Sequence, residues 1–147
     1  MKGWTEHRDF DYDYALITLA DTGMPTPWMS FGYNDGLGDG WIMNLNGYPG
    51  DEARFSMWHT DNRITDTSNN HFDMNLDVVP RDSGSAVYAY WNDQRRVTYG
   101  IVSTQWTEKV PNFPDFWNTH TKKGNRATRI NGLRFNQICG WINAGIC

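Results

Sequence analysis

An all-β chain, a sandwich or barrel followed by one C-terminal helix, is the fold class that the sequence predicts. β-Branched and aromatic residues gather in short runs. Turn residues separate those runs at short intervals, and only the last segment switches to a helical period. Aromatics make up 15% of the 147 residues, with Trp 8 times among them, which suits a pleated, half-buried surface.

In chain order, residues 14–19 (YALITL) are apolar and compact and predict a buried strand. Residues 31–40 hold Gly32, Gly36, Gly38 and Gly40 among Asn34, Asp35 and Asp39, which predicts a loop. Residues 41–45 are strand-like and 47–51 (GYPGD) form a turn. Ala53, Phe55 and Met57 alternate with Arg54 and Ser56, the period of a half-buried strand. Asp61-Asn62 predicts a turn ahead of a strand over 63–67, and 71–76 reads as another strand. Residues 86–91 and 96–104 flank Asn92-Asp93 as a hairpin. Residues 106–124, with Pro111 and Pro114 and no clear period, predict a long loop, and 126–130 a short strand. Leu133, Ile138, Trp141 and Ile142 lie near one face of a helix over 133–143, with Asn131 as its N-cap. The sum is about eight strands and one terminal helix.

Composition narrows the function classes. The length fits one domain with a real core. Net charge is −4 and no basic face or run appears, so nucleic acid is not an expected partner. No apolar run approaches the roughly 18 residues of a membrane span, and residues 1–20 lack the pattern of a signal peptide. Cys139 and Cys147 either close a small disulfide ring or remain two thiols. His59, Asp61, His71 and Asp73 match no metal-site spacing, so neither metal nor cofactor is expected.

The chemistry concentrates in residues 80–88 (PRDSGSAVY), where Ser83 sits between an acid and a glycine at a tight bend before a strand-like run. Upstream stands Asp13-Tyr14-Ala15-Leu16. Together with Gly47-Tyr48-Pro49-Gly50-Asp51, Met57-Trp58, Gly100-Ile101-Val102-Ser103 and Ile138-Cys139-Gly140-Trp141-Ile142, these landmarks fall in the order of the trypsin-like serine proteases. The chain resembles the glutamyl-endopeptidase branch of that superfamily, and Lys2-Gly3-Trp4 with Gln137-Ile138-Cys139 resembles its secreted, serine protease 23-like members.

The resemblance implies a chymotrypsin-like fold, two six-stranded antiparallel barrels with the active site between them. In that family the unit runs to roughly 200–250 residues. Residues 1–30 then correspond to the tail of the first barrel and the inter-barrel linker, 31–131 to the second barrel and 132–143 to the terminal helix, a single C-terminal piece. Ser83 is implied as the nucleophile and Asp13 as the group that orients the base. The backbone N–H groups of Arg81 and Ser83 form the implied oxyanion hole, although the family usually has glycine at position 81. Asp77 lies at the floor of the implied specificity pocket. Ser103 is placed to hydrogen-bond Asp13. Asp82 occupies the place that receives a newly cut N-terminus in trypsin zymogens. Val102 stands where Glu-cleaving relatives carry a histidine.

The histidine base is the missing piece. His7, His59, His71 and His120 read as solvated or partly buried structural residues. Met1 thus reads as an internal start or a fragment edge, and the piece alone is expected to be inactive or nearly so. Expected partners are a protein or peptide substrate and a histidine-bearing first barrel, in cis or in trans. The resemblance implies a secreted protein. Two other classes compete: a catalytically dead homologue that binds partners through the cleft, and an aromatic-rich domain that stacks on sugars.

Overall fold

The computed structural model describes residues 2–18, 28–53, 55–76, 78–92, 95–109 and 121–142. A short helix α1 (Lys2–His7) and a 3-10 turn (Phe10–Tyr12) open the chain. Strands β1 (Ser30–Phe31), β2 (Ile42–Gly47), β3 (Trp58–Thr67), β4 (His71–Met74), β5 (Ala86–Trp91), β6 (Arg95–Lys109) and β7 (Thr121–Arg129) follow, and helix α2 (Gly132–Ile142) ends the described part.

Hydrogen bonding runs in the order β6-β5-β2-β3-β4-β7 and returns to β6, which closes a six-stranded antiparallel barrel. The two-residue β1 adds in parallel to the outside of β6 through Ser30 and Val97. Closure leaves no open edge in the barrel proper. Inward-facing residues follow the two-residue period. Met43, Leu45, Ile64, Phe72, Met74, Val87, Ala89, Tyr99, Val102 and Ala127 make one dry cluster.

The barrel and terminal helix agree with the fold class read from the sequence; several elements do not. Residues 14–18 form no strand, and Ile17 is 79% exposed. An apolar run needs a neighbouring strand to become one, and none among the described residues pairs with it. Of the strand expected over 53–57, residues 53 and 55–57 form none: Phe55 has φ +67° and is 85% exposed, and Arg54 lies outside the described residues. Asp61 and Asn62 do not turn; they pair with Asn44 and Met43 inside the ten-residue β3. Residues 106–109 and 121–124, expected in a long loop, belong instead to β6 and β7, whose ends pair. Residues 110–120 lie outside the described part.

Helix α2 begins as expected. Asn131 Oδ1 accepts the N–H of Arg134 at 2.9 Å, an N-cap bond. Its buried side is different. Leu133 is 80% exposed and Arg134 only 4%, while Phe135 packs on Phe31 and Tyr33 with ring centres 5.4 and 5.2 Å away.

Candidate active site

Residues 80–85 form a tight turn bound to β6. Asp82 N–H donates to Val79 O at 3.2 Å and Ser85 N–H to Asp82 O at 2.9 Å, while Gly84 N–H reaches Val102 O at 2.9 Å. The bend needs two residues in the left-handed region, Arg81 at φ +93° and Gly84 at φ +88°. Glycine adopts that angle freely; an arginine does so under strain. Asp82 is buried at the centre of the turn, and Ser83 stands exposed at its tip. Among the described residues no acceptor takes the backbone N–H of Arg81 or Ser83.

Across from the turn, β6 carries a bulge between Val102 and Thr104 opposite β7. A bulge re-aims a side chain, and the residue within it is Ser103. Its hydroxyl donates to Asp13 Oδ2 at 2.8 Å. Ser83 and Ser103 both line one cavity of about 210 Å³, with Val78, Pro80, Val102 and Gln105 around them. Gln105 Nε2 donates to Val78 O at 2.8 Å and Asn125 Nδ2 donates to Leu76 O, which fix the wall beneath the turn. Ser83 thus stands at the cavity wall, and the Asp13 carboxylate is bound to Ser103, another residue of that wall.

A second cavity, of about 170 Å³, lies behind the turn between Gly47, Glu52, Trp58, His59 and Asp82. Asp82 is 1% exposed. Its Oδ2 accepts the N–H of Val79 at 3.2 Å. Its Oδ1 has no partner among the described residues, and a buried carboxylate oxygen left alone is costly. Gly47 is the residue that makes room for it, since a Cβ there would run into Oδ1.

Two of the histidines are occupied elsewhere. His59 shares a hydrogen bond with Asn44 Oδ1 at 3.2 Å, and His71 Nδ1 faces Asp11 Oδ1 at 3.4 Å. No histidine among the described residues lines the Ser83 cavity; His120 lies outside them, as do Asp77 and Cys147. Cys139 is disulfide-bonded.

The same occupancy bears on metal binding. Asp73 is held in a bidentate pair with Arg126, at 2.7 and 2.9 Å, and among the described residues no group of three or more His, Cys, Asp or Glu side chains gathers that could hold an ion. The residues described do not fit a metal centre.

Sequence reasoning missed the contacts made by the segment next to Asp13. Asp11 reads in sequence as one of several crowded acids, yet its carboxylate accepts from Asn70 Nδ2 at 2.9 Å. Arg134 donates to the carbonyls of Asn70, Arg129 and Asp11. The available signal was Arg134 itself, an arginine in the stripe that Ile138 and Ile142 continue at four-residue steps.

No family model matches the chain. It is similar to the extracellular metalloprotease of Bacillus subtilis (strain 168), 28% identical over 150 residues that cover 97% of this chain. The chain spans 42% of the length of that relative. The likeness is to an extracellular protease. The metal that the relative's name implies finds no matching cluster among the described residues here.

Proposed function

We propose that the chain is the nucleophile-bearing barrel of a secreted serine endopeptidase of the trypsin-like kind. Ser83 attacks the scissile carbonyl, and its proton passes to an imidazole oriented by Asp13. The N–H groups of Arg81 and Ser83 receive the oxyanion, and water then hydrolyses the acyl-enzyme. The imidazole comes from outside the described residues. The exposed flank of Leu16, Ile17 and Trp141 beside Asp13 is a surface on which a histidine-bearing partner barrel fits. Asp77 keeps its proposed place in the substrate pocket, and Asp82 its proposed role as receiver of a cut chain end.

The observation that carries this reading is the Ser103–Asp13 bond at 2.8 Å, made by a residue that shares its cavity with Ser83. The relative's protease name supports the peptidase class. Chelator and serine-reagent sensitivity separate the serine reading from the metal reading. Peptidase activity of the protein with its natural flanking sequence is expected to survive chelation and to disappear with a fluorophosphonate or with Ser83→Ala. Loss of activity to a chelator, with Ser83→Ala still active, refutes the proposal.

One observation favours a second reading. Arg81 in a backbone conformation suited to glycine fits a catalytically dead homologue that binds partners through the cleft. A folded protein with its natural flanks that fails to react at Ser83 supports that alternative.

A further inference from the structure

We propose that Arg134 and Asp11 are positioning residues for the Asp13 carboxylate, a clamp by which the barrel holds the orienting acid without strand pairing. The proposal rests on the peptidase reading of the site. Residues 13–18 belong to no strand, and fixing such a stretch costs backbone entropy that side-chain contacts must offset.

Those contacts converge from four elements. Thr128 Oγ1 on β7 donates to Phe10 O at 3.2 Å. Asn70 and His71, at the start of β4, hold the two oxygens of the Asp11 carboxylate at 2.9 and 3.4 Å. From α2, Arg134 Nη2 donates to Asp11 O, its guanidinium lies 5.4 Å from the centre of the Tyr14 ring, and Gln137 Oε1 accepts the Tyr14 hydroxyl at 2.6 Å. Ser103 on β6 then closes on Asp13. Residues 10–14 are thereby stitched to the barrel on both sides of the carboxylate.

Arginine suits this task because its planar fork can serve acceptors on separate elements at once. Nη1 takes Asn70 O at 2.6 Å and Arg129 O at 2.7 Å, while Nη2 takes Asp11 O. These three acceptors are all backbone carbonyls, and they link the β3–β4 connection, the end of β7 and the 10–14 segment through one side chain. The helix itself does not need that charge. Its Asn131 cap and the Phe135 packing already anchor α2.

The test uses Arg134→Met, which keeps volume and removes the donors, Arg134→Lys, Asp11→Ala, and Leu133→Ala as a control on the same helix. Amide exchange reads residues 10–14 against β5 and β6, and NMR titration of the Tyr14 phenol reads its surroundings. Burial pushes that phenol up while Arg134 holds it back. Release of the segment therefore brings it toward the ordinary value of about 10, whereas removing the guanidinium from an intact segment raises it further.

In Arg134→Met we expect protection over 10–14 to fall at least about tenfold with β5 and β6 kept within about twofold, and the Tyr14 titration to move down. Arg134→Lys restores part of the protection, Asp11→Ala gives a smaller loss confined to the same residues, and Leu133→Ala changes nothing. Loss spread evenly over the barrel overturns the proposal, as does intact 10–14 protection with a raised Tyr14 titration. Should Arg134→Met fail to fold, Asp11→Ala decides by the same readouts, and unchanged exchange there overturns the clamp. Because neither readout uses activity, a chain that shows the clamp but no reaction at Ser83 loses the peptidase reading alone.

Discussion

Arg81 is the residue where chemistry and backbone disagree most. Its φ of +93° costs an L-residue with a Cβ about 1–2 kcal/mol, while glycine would lose about 0.5–1 kcal/mol more chain entropy on folding. Arg81→Gly is therefore expected to raise stability slightly, by up to about 1 kcal/mol in urea unfolding, and to leave reaction at Ser83 undiminished. A loss of more than about 1 kcal/mol would show that Arg81 is held by contacts worth more than its strain. At this scale the resemblance pointed to Ser83, Asp13 and Ser103; the structure shows Ser83 exposed in a turn and the Ser103–Asp13 bond, while their catalytic roles belong to the proposal. Of Asp11 and Arg134 the sequence offered only the place of Arg134 in a helical stripe with Ile138 and Ile142. Their contacts span as many as 123 positions, and no local pattern names the distant carbonyls to which that arginine donates.

At the scale of elements, two joints should be separable. The bidentate Asp73–Arg126 pair ties β4 to β7, with the Asp73 side chain 6% exposed and the Arg126 side chain 32%. Breaking a fully buried pair costs about 3–5 kcal/mol; with one partner a third exposed, Asp73→Asn is expected to cost about 2–3 kcal/mol, read as a shift of the urea midpoint. Asn131 caps α2 and also bonds Asn69 O at 2.9 Å, so Asn131→Ala is expected to cost about 1–2 kcal/mol and to fray the helix first in amide exchange. A midpoint unchanged in either variant contradicts the assigned bonds. Strands with clear alternation or β-branched runs, β2, β5 and the start of β6, were legible in sequence. Of the ten-residue β3 only 63–67 was legible; the rest was not, because Asp61-Asn62 carries turn chemistry that pairing with β2 overrides. Residues 14–18 failed the opposite way, with strand-like composition and no strand to pair with.

At the scale of the molecule, the described strands close a barrel that buries Tyr88 and Tyr99, and their burial predicts an alkaline weakness. Burial pushes the Tyr88 and Tyr99 hydroxyls up, with Tyr90 adding to the shift at Tyr88. Each stays neutral in the folded chain while its unfolded counterpart ionises above about pH 10, so the unfolded state then holds fewer protons and stability falls as pH rises. Below pH of about 10 the contribution is fully present. The urea midpoint is expected to be level to about pH 9.5 and to decline beyond it, with a shallower decline in Tyr99→Phe. Equal slopes in the two proteins would remove Tyr99 from the explanation. The barrel as a class was readable from turn spacing and short runs. Its six-stranded closure came with the resemblance and not from periodicity, since the β6–β7 and β4–β7 pairings join residues whose separation in sequence no periodicity reports.

The claim on which the rest stands is that Ser83 acts together with Asp13, which is bound to Ser103 in the wall of the Ser83 cavity. Fluorophosphonate labelling of the protein with its natural flanking sequence, with the modified residue mapped by mass spectrometry, reaches it most directly. We expect the label on Ser83, none in Ser83→Ala, and a rate in Asp13→Asn lower by about 10³–10⁴, the scale of a base left in the wrong tautomer. Label on another serine, or Asp13→Asn reacting at the wild-type rate, would show that the two groups do not act together.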